Sequence, residues 1–467
     1  MTVETEISPA ALRKIMAAAC AGTLIEWFDF IIFGSLSATT ASQFYKTGTP
    51  AGDLIAWLAA YAIGFIVRPL GSIVFGFVGD KFGRKSTFLT SLVMMGVSTF
   101  LCGCLPTYND IGVTAGVLLI ILRIIQGLAV GGEYGGAVAY IAEHVPRTQR
   151  GLYTSFLQAM STSAMVVSLA VILMFRLTLG DANWTKFGWR FPFLISIFLV
   201  GISVYIRSQL KESPMYATAK EEGKMVNNPL VETVARGYNL KRVLIVLFGA
   251  IMGQTGVVYC AQFYTLTFIQ GTLKVPFVTS NYIQLLACLF AVPFFFIFGH
   301  LSDKIGRKPV MVAGMAISTA LFYPLFLAIY EFRPYENNKT TDPLRDQYSP
   351  AMLGFLVWIM VTLSIASCAP TAAFLSELFP TSIRYSSISI PYHVGAGLFG
   401  GLTPFVATAI ATATGNRFAG LFYPIILGGL SSLVAIVFLP ETVGTDIAAL
   451  GLNGVKDEDE VSPKNEK

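Results

Sequence analysis

The chain has 467 residues, of which 54% are hydrophobic and only 13% charged, with a formal net charge of +5. Soluble domains carry about twice that share of charged residues, and the mean hydropathy here is +0.65. This composition excludes a soluble enzyme, a disordered chain and a nucleic-acid binder, and leaves the small basic excess to be explained by topology.

A membrane span needs about 20 apolar residues. Apolar runs between breaks predict twelve, at about 17–43, 54–78, 86–106, 111–142, 151–175, 188–207, 241–270, 279–301, 309–331, 350–378, 384–413 and 417–440. Residues 1–16 are polar and mixed in charge, with none of the marks of a secretory signal peptide, so the first span is expected to be its own insertion signal. The first, fourth and tenth runs exceed one crossing and are expected to tilt or to extend beyond the bilayer. Most runs are rich in Gly and Ala, which favours close helix packing. The six cysteines all lie in apolar runs without metal-site spacing and read as small buried hydrophobes; neither a metal nor a cofactor is expected.

The basic residues orient the spans. With both termini on one side, 21 Lys and Arg fall on that side, nine on the other and two, Arg68 and Arg123, inside spans. The positive-inside rule puts both termini in the cytoplasm.

Three patterns occur twice. Gly76–Lys85 and Gly299–Lys308 both read G-x-x-x-D-K-x-G-R-K. Glu143, Pro146 and Arg150 close the fourth span as Glu377, Pro380 and Arg384 close the tenth, in the pattern E-x-x-P-x-x-x-R. Acid-bearing ends, Glu212-Ser213 and Glu441-Thr442, follow the sixth and twelfth spans. The chain is therefore expected to be all-α and integral to the membrane, with twelve transmembrane helices in two pseudo-symmetric six-helix bundles. Its parts are a tail at 1–16, a bundle at 17–207, a cytoplasmic linker at 208–240, a bundle at 241–441 and a tail at 442–467. Parallel repeats of this kind are a transporter architecture.

Ionisable side chains at bilayer depth are costly and functional by default. Five stand out: Glu26, Asp29, Arg68, Arg123 and Glu133. Gly22, Glu26, Asp29 and Phe33 share one helix face by their spacing, as do Arg123, Gln126, Val130 and Glu133. A proton-coupled carrier needs a carboxylate whose protonation changes. Glu26, Asp29 or Glu133 is expected to carry the proton, with Arg123 and Gln126 holding the substrate, or Arg123 pairing with an acid. Arg68, before Pro69, is expected in a buried ion pair. In the second half, His393 beside Pro391, and Gln254, Tyr259, Gln262 and Tyr264 of the seventh span, are candidates to shape the substrate pocket.

The paired loops resemble the signature of the major facilitator superfamily. The run Gly22–Phe30, Val67-Arg68-Pro69-Leu70-Gly71, Arg123–Gly127 and Gly131–Gly136 resemble its metabolite:proton symporter branch, which includes carriers similar to those for shikimate, 2-oxoglutarate, citrate and proline/betaine. The resemblance spans about 17–441. It implies a gating role for Asp80, Arg84, Asp303 and Arg307, with Glu143, Arg150, Glu377 and Arg384 as partners, locking the halves together on the cytoplasmic side when the site faces outward. The expected function is proton-coupled symport of a small organic acid by alternating access, in a monomer of the plasma membrane whose partners are the metabolite, the proton and the bilayer. A proline/betaine-like carrier comes second, because the buried arginines fit a zwitterion as well; the short acidic tail, without heptads, has no osmosensing coiled coil. A sugar porter comes third, since the seventh span lacks the paired Gln and following Asn. With no nucleophile–base pair, an enzyme is not expected.

Overall fold

The computed structural model describes residues 9–82, 84–131, 134–208, 231–233, 236–333, 348–381, 383–447 and 450, with backbone alone at 9–11, 14–15, 76–82, 84–88 and 206–208. Glu133 and most of the 208–240 linker lie outside the described residues, as do the side chains of Asp80 and Arg84.

Among the described residues, eleven helices are long and apolar enough to cross a membrane: Met16–Ser35, Pro50–Phe75, Thr114–His144, Arg147–Lys186, Gly188–Tyr205, Gly237–Thr272, Phe277–Ile305, Arg307–Glu331, Pro350–Leu378, Arg384–Thr414 and Ala419–Phe438. A shorter apolar helix, Leu89–Cys104, stands where the third span is expected. Large apolar side chains such as Leu70, Phe198, Phe290 and Val437 remain exposed, as a chain solvated by lipid requires. The fifth helix runs well past its expected end at 175. Gly180, at φ 72°, ψ 168°, bends the chain there, and the helix resumes through a polar stretch to Lys186. Hydropathy does not register such an extension, because it is polar.

Small residues set the closest contacts. A Cβ on Gly127 of the fourth span would lie 2.1 Å from the carbonyl oxygen of Gly64 in the second, and one on Gly131 would lie 2.3 Å from that of Arg68. The glycines of the two sequence motifs thus bring the second and fourth helices into backbone contact. Elsewhere the helices are interrupted. Pro69 has no N–H for the carbonyl of Phe65, and Gly397 of the eleventh span approaches that carbonyl, where a Cβ would stand 2.5 Å away. The seventh span is wound as π-helix at Leu247–Ile251, Cys260–Tyr264 and Phe268–Thr272, and the eleventh at Ala396–Gly400. Such bulges shift the side chains that follow round the helix axis.

The first six and last six spans meet along two seams. The fifth span packs on the eighth, and the second on the eleventh; the fourth also touches the tenth and eleventh.

Candidate functional site

Between the two halves is a cavity of about 10 Å³, room for about one water. Thr23, Glu26 and Trp27 come from the first span, Arg68 from the second, Val130, Tyr134 and Ala137 from the fourth, Leu157 from the fifth, and Tyr392 and His393 from the eleventh. Towards the end that carries the termini, Tyr134 stacks on Tyr392 with ring centres 3.4 Å apart. Towards the opposite end, Phe65 meets Tyr259 at 5.2 Å and Tyr61 meets Phe263 at 6.0 Å. Rings from both halves therefore pack across the seam beside the cavity.

Arg68 is 1% exposed. The sequence reading pairs it with an acid, but none of the ion pairs among the described residues includes it. Its guanidinium lies instead over the rings of Phe30 at 4.1 Å, Phe65 at 4.2 Å and Trp27 at 5.5 Å, where ring quadrupoles stabilise the charge. Nε and Nη1 have no hydrogen-bond partner, nor has either ring nitrogen of His393.

Arg123 lies elsewhere. It is fully buried inside the first six spans, with Nη1 donating to Gln126 Oε1 at 2.6 Å and Nη2 to the Tyr61 carbonyl at 3.4 Å. Gln126 Nε2 in turn donates to Thr99 Oγ1 of the third span at 2.8 Å. Neither Arg123 nor Gln126 lines the cavity; Val130, from the same face, does. The first span divides likewise. Glu26 lines the cavity, whereas Asp29 is 2% exposed near Cys102 and Ser196 of the third and sixth spans, with Oδ1 unpartnered. Three residues turn a helix by about 300°, so Glu26 and Asp29 share only a broad face, and here the cavity edge runs between them.

The seventh-span candidates are also absent from the lining. Gln262 Nε2 donates to Thr162 Oγ1 of the fifth span at 2.9 Å, joining the halves directly. Tyr264 packs on Phe268 and Phe326 within the last six spans. Tyr259 covers Phe65, and Gln254 is buried with Oε1 unpartnered. The π-wound stretches take these side chains off the expected stripe. Sequence reasoning missed Trp27, Tyr134 and Tyr392 as lining residues, although each adjoins a singled-out charge or histidine; aromatic side chains are too common in spans to be distinctive.

At the end bearing the termini, the repeated motifs meet across the seam. Arg150 Nη1 reaches Glu377 Oε1 at 3.1 Å. Arg307 pairs with Glu377 at 3.0 Å and with Asp303 at 2.7 Å, and Arg384 pairs with Glu143 at 2.6 Å. Asp303 also accepts from the backbone N–H groups of Gly151 at 2.8 Å and Leu152 at 2.9 Å, capping the fifth helix of the other half, where the helix dipole favours a carboxylate. Gly299, which opens the second loop motif, allows that approach: its Cβ would meet the Gly151 carbonyl at 2.7 Å. Gly306, at φ 108°, makes the turn. The segment after the twelfth span completes the network. Thr442 Oγ1 donates to Glu377 at 2.9 Å, and Ile447 O accepts from Arg384 at 2.8 Å.

Comparison with known proteins agrees with this architecture. The family model for the Major Facilitator Superfamily matches residues 19–368. The "Putative proline/betaine transporter" of Staphylococcus haemolyticus is 32% identical, covering 93% of this chain and 89% of that protein. The "Putative metabolite transport protein" of Haemophilus influenzae is 33% identical over 92% and 95%, and the "Glycine betaine/proline/ectoine/pipecolic acid transporter OusA" of Dickeya dadantii is 30% identical over 94% and 85%. Among solved structures, a D-xylose-proton symporter superposes with a TM-score of 0.69 at 20% identity, covering 93% of this chain and 99% of the other, a likeness of fold. The chain is a membrane transporter and not an enzyme, and it belongs to the major facilitator superfamily.

Proposed function

We propose that the protein is a proton-coupled symporter of a small zwitterion of the proline/betaine class. The observation that carries this reading is the cavity lining: a carboxylate, a guanidinium and three aromatic rings (Glu26, Arg68, Trp27, Tyr134 and Tyr392) around one space. A quaternary or secondary ammonium is held by aromatic faces and a carboxylate, and its own carboxylate by the basic side. We therefore rank a zwitterion ahead of the organic acid favoured by sequence alone. The names of the Staphylococcus and Dickeya relatives support the same order.

The roles divide by position. Glu26 faces the substrate. Asp29 is our assignment for the coupling proton, because it is buried, has an oxygen without a partner and lies off the cavity; Glu133 remains the second candidate. Asp303, Arg307, Glu377, Arg150, Glu143 and Arg384 form the cytoplasmic lock, broken when the site opens inward, with Asp80 and Arg84 as the counterpart in the first half. Alternating access then exchanges one seam of contacts for the other.

The test uses protein reconstituted in liposomes, supplied with labelled proline, glycine betaine and 2-oxoglutarate under an imposed inward proton gradient. The reading expects uptake of proline or glycine betaine that collapses with an uncoupler and is lost in Asp29→Asn. Uptake of 2-oxoglutarate alone returns the organic-acid reading, and uptake indifferent to the uncoupler overturns proton coupling.

A further inference from the structure

Two basic side chains on opposite sides of the seam line the cavity with nitrogens that the fold leaves unpartnered. Arg68 of the second span has Nε and Nη1 without a partner, and His393 of the eleventh has both ring nitrogens so; each residue is 1% exposed. Nearly all buried polar atoms in folded proteins are hydrogen-bonded, so a cluster of exceptions calls for an explanation. One water, all that the cavity admits, makes at most four hydrogen bonds and cannot neutralise a guanidinium. Glu26, on the same cavity, belongs to the first span, and the ion pairs among the described residues leave Arg68 out.

The geometry of these groups selects the missing partner. The unpartnered Nε and Nη1 lie on opposite edges of the planar guanidinium, and each can give a carboxylate oxygen a charge-assisted N–H bond. A neutral imidazole offers one N–H in either tautomer, so His393 can add a donor without being ionised. Both residues stand where their helices are interrupted. Arg68 precedes Pro69, and His393 lies between Pro391 and the π-wound stretch at Ala396–Gly400. Interrupted helices at mid-depth are where transporters place their ligands.

We propose that Arg68 and His393 together form the carboxylate subsite, so that the substrate's carboxylate is shared between the two halves. The rest of the ligand, held by Trp27, Tyr134, Tyr392 and Glu26, rests on the zwitterion reading above, whereas the subsite takes the carboxylate of a betaine or of an organic acid alike. The cavity as described is too small for a carboxylate, so the second and eleventh spans part to admit it and then close on it. Binding and closure become one event, and a ligand without a carboxylate fails to draw the halves together.

The test is calorimetric titration of the purified full-length protein with matched pairs: glycine betaine against choline, proline against prolinamide, and succinate against succinamide. The wild type is expected to bind the carboxylate member of at least one pair roughly 10- to 100-fold more tightly than its partner, the range for a hydrogen bond to a charged group. Arg68→Gln is expected to erase most of that ratio, and His393→Ala to reduce it several-fold. Should Arg68→Gln not yield monodisperse protein, Arg68→Lys and His393→Gln carry the test, since each keeps polarity and bulk but loses the guanidinium or the ring donor. A ratio unchanged in the folded variants overturns the subsite, as does a wild type that binds no carboxylate compound. A wild type that binds succinate but neither betaine nor proline, and loses it in Arg68→Gln, overturns the zwitterion reading and leaves the subsite standing.

Discussion

Phe30 is the residue on which the buried Arg68 and Arg123 converge. Its ring lies 4.1 Å from the Arg68 guanidinium and 4.4 Å from that of Arg123, so one aromatic face serves each cation and separates two like charges. Phe30→Leu keeps most of the volume but removes the quadrupole. It should lower stability by about 1–2 kcal/mol, the worth of desolvated cation–π contacts, as measured by chemical denaturation in detergent; no loss would mean that the rings merely fill space. The lock offers a second comparison at this scale. Glu377 receives Arg150, Arg307 and Thr442, whereas Glu143 pairs with Arg384, which also donates to the carbonyls of Phe379 and Ile447. Breaking a buried ion pair by removing one partner costs about 3–5 kcal/mol. Glu377→Gln is therefore expected at the upper end of that range and Glu143→Gln at the lower, because Arg384 keeps two acceptors; the reverse order would show that the network is not centred on Glu377. The charges themselves are legible in sequence, since an ionisable residue inside an apolar run stands out. Their partners are not. Arg68 is expected to pair with an acid and finds rings, because two of its three ring partners, Trp27 and Phe30, stand on another span.

Helices are placed by what their glycines allow. In the second and fourth spans, the glycines that mark family-like motifs prove to be points of backbone contact. Gly127→Ala would drive a methyl group to 2.1 Å from the Gly64 carbonyl, and backbone on both sides leaves little room to yield. A thermal shift several degrees below the wild type is expected, from about 1–3 kcal/mol of overpacking. Gly201→Ala, with nothing within 4 Å of its Cβ, should cause no such loss; equal effects would mean that helix flexibility, not contact, sets the response. The loop motif shows how a correct reading can be incomplete. A glycine in a loop ordinarily serves a turn, and Gly306 makes one, but Gly299 serves the crossing of the fifth and eighth helices. A pattern of letters does not separate a glycine needed for its backbone angles from one needed for its missing side chain.

Across the whole molecule, the halves touch at both ends and through the middle. The Gln262–Thr162 hydrogen bond lies on the fifth-span seam, so cysteines at positions 162 and 262, joined by a short bis-methanethiosulfonate cross-linker, are expected to arrest liposome uptake, with a reducing thiol that cleaves the mixed disulfides restoring it. Continued uptake in the linked protein would show that this seam does not part during transport. Twelve spans, their approximate limits, the duplicated motifs and the in-span charges follow from the sequence alone. Hydropathy is local and adds along the chain, and repetition is visible without any geometry. The tertiary structure decides how far each helix is rotated about its axis and which faces meet. That is why Arg68 and His393, rather than Arg123 and the polar stripe of the seventh span, line the cavity. Rotation is set by Gly contacts, proline breaks and π-wound turns acting between distant segments, and no local pattern in the sequence contains it.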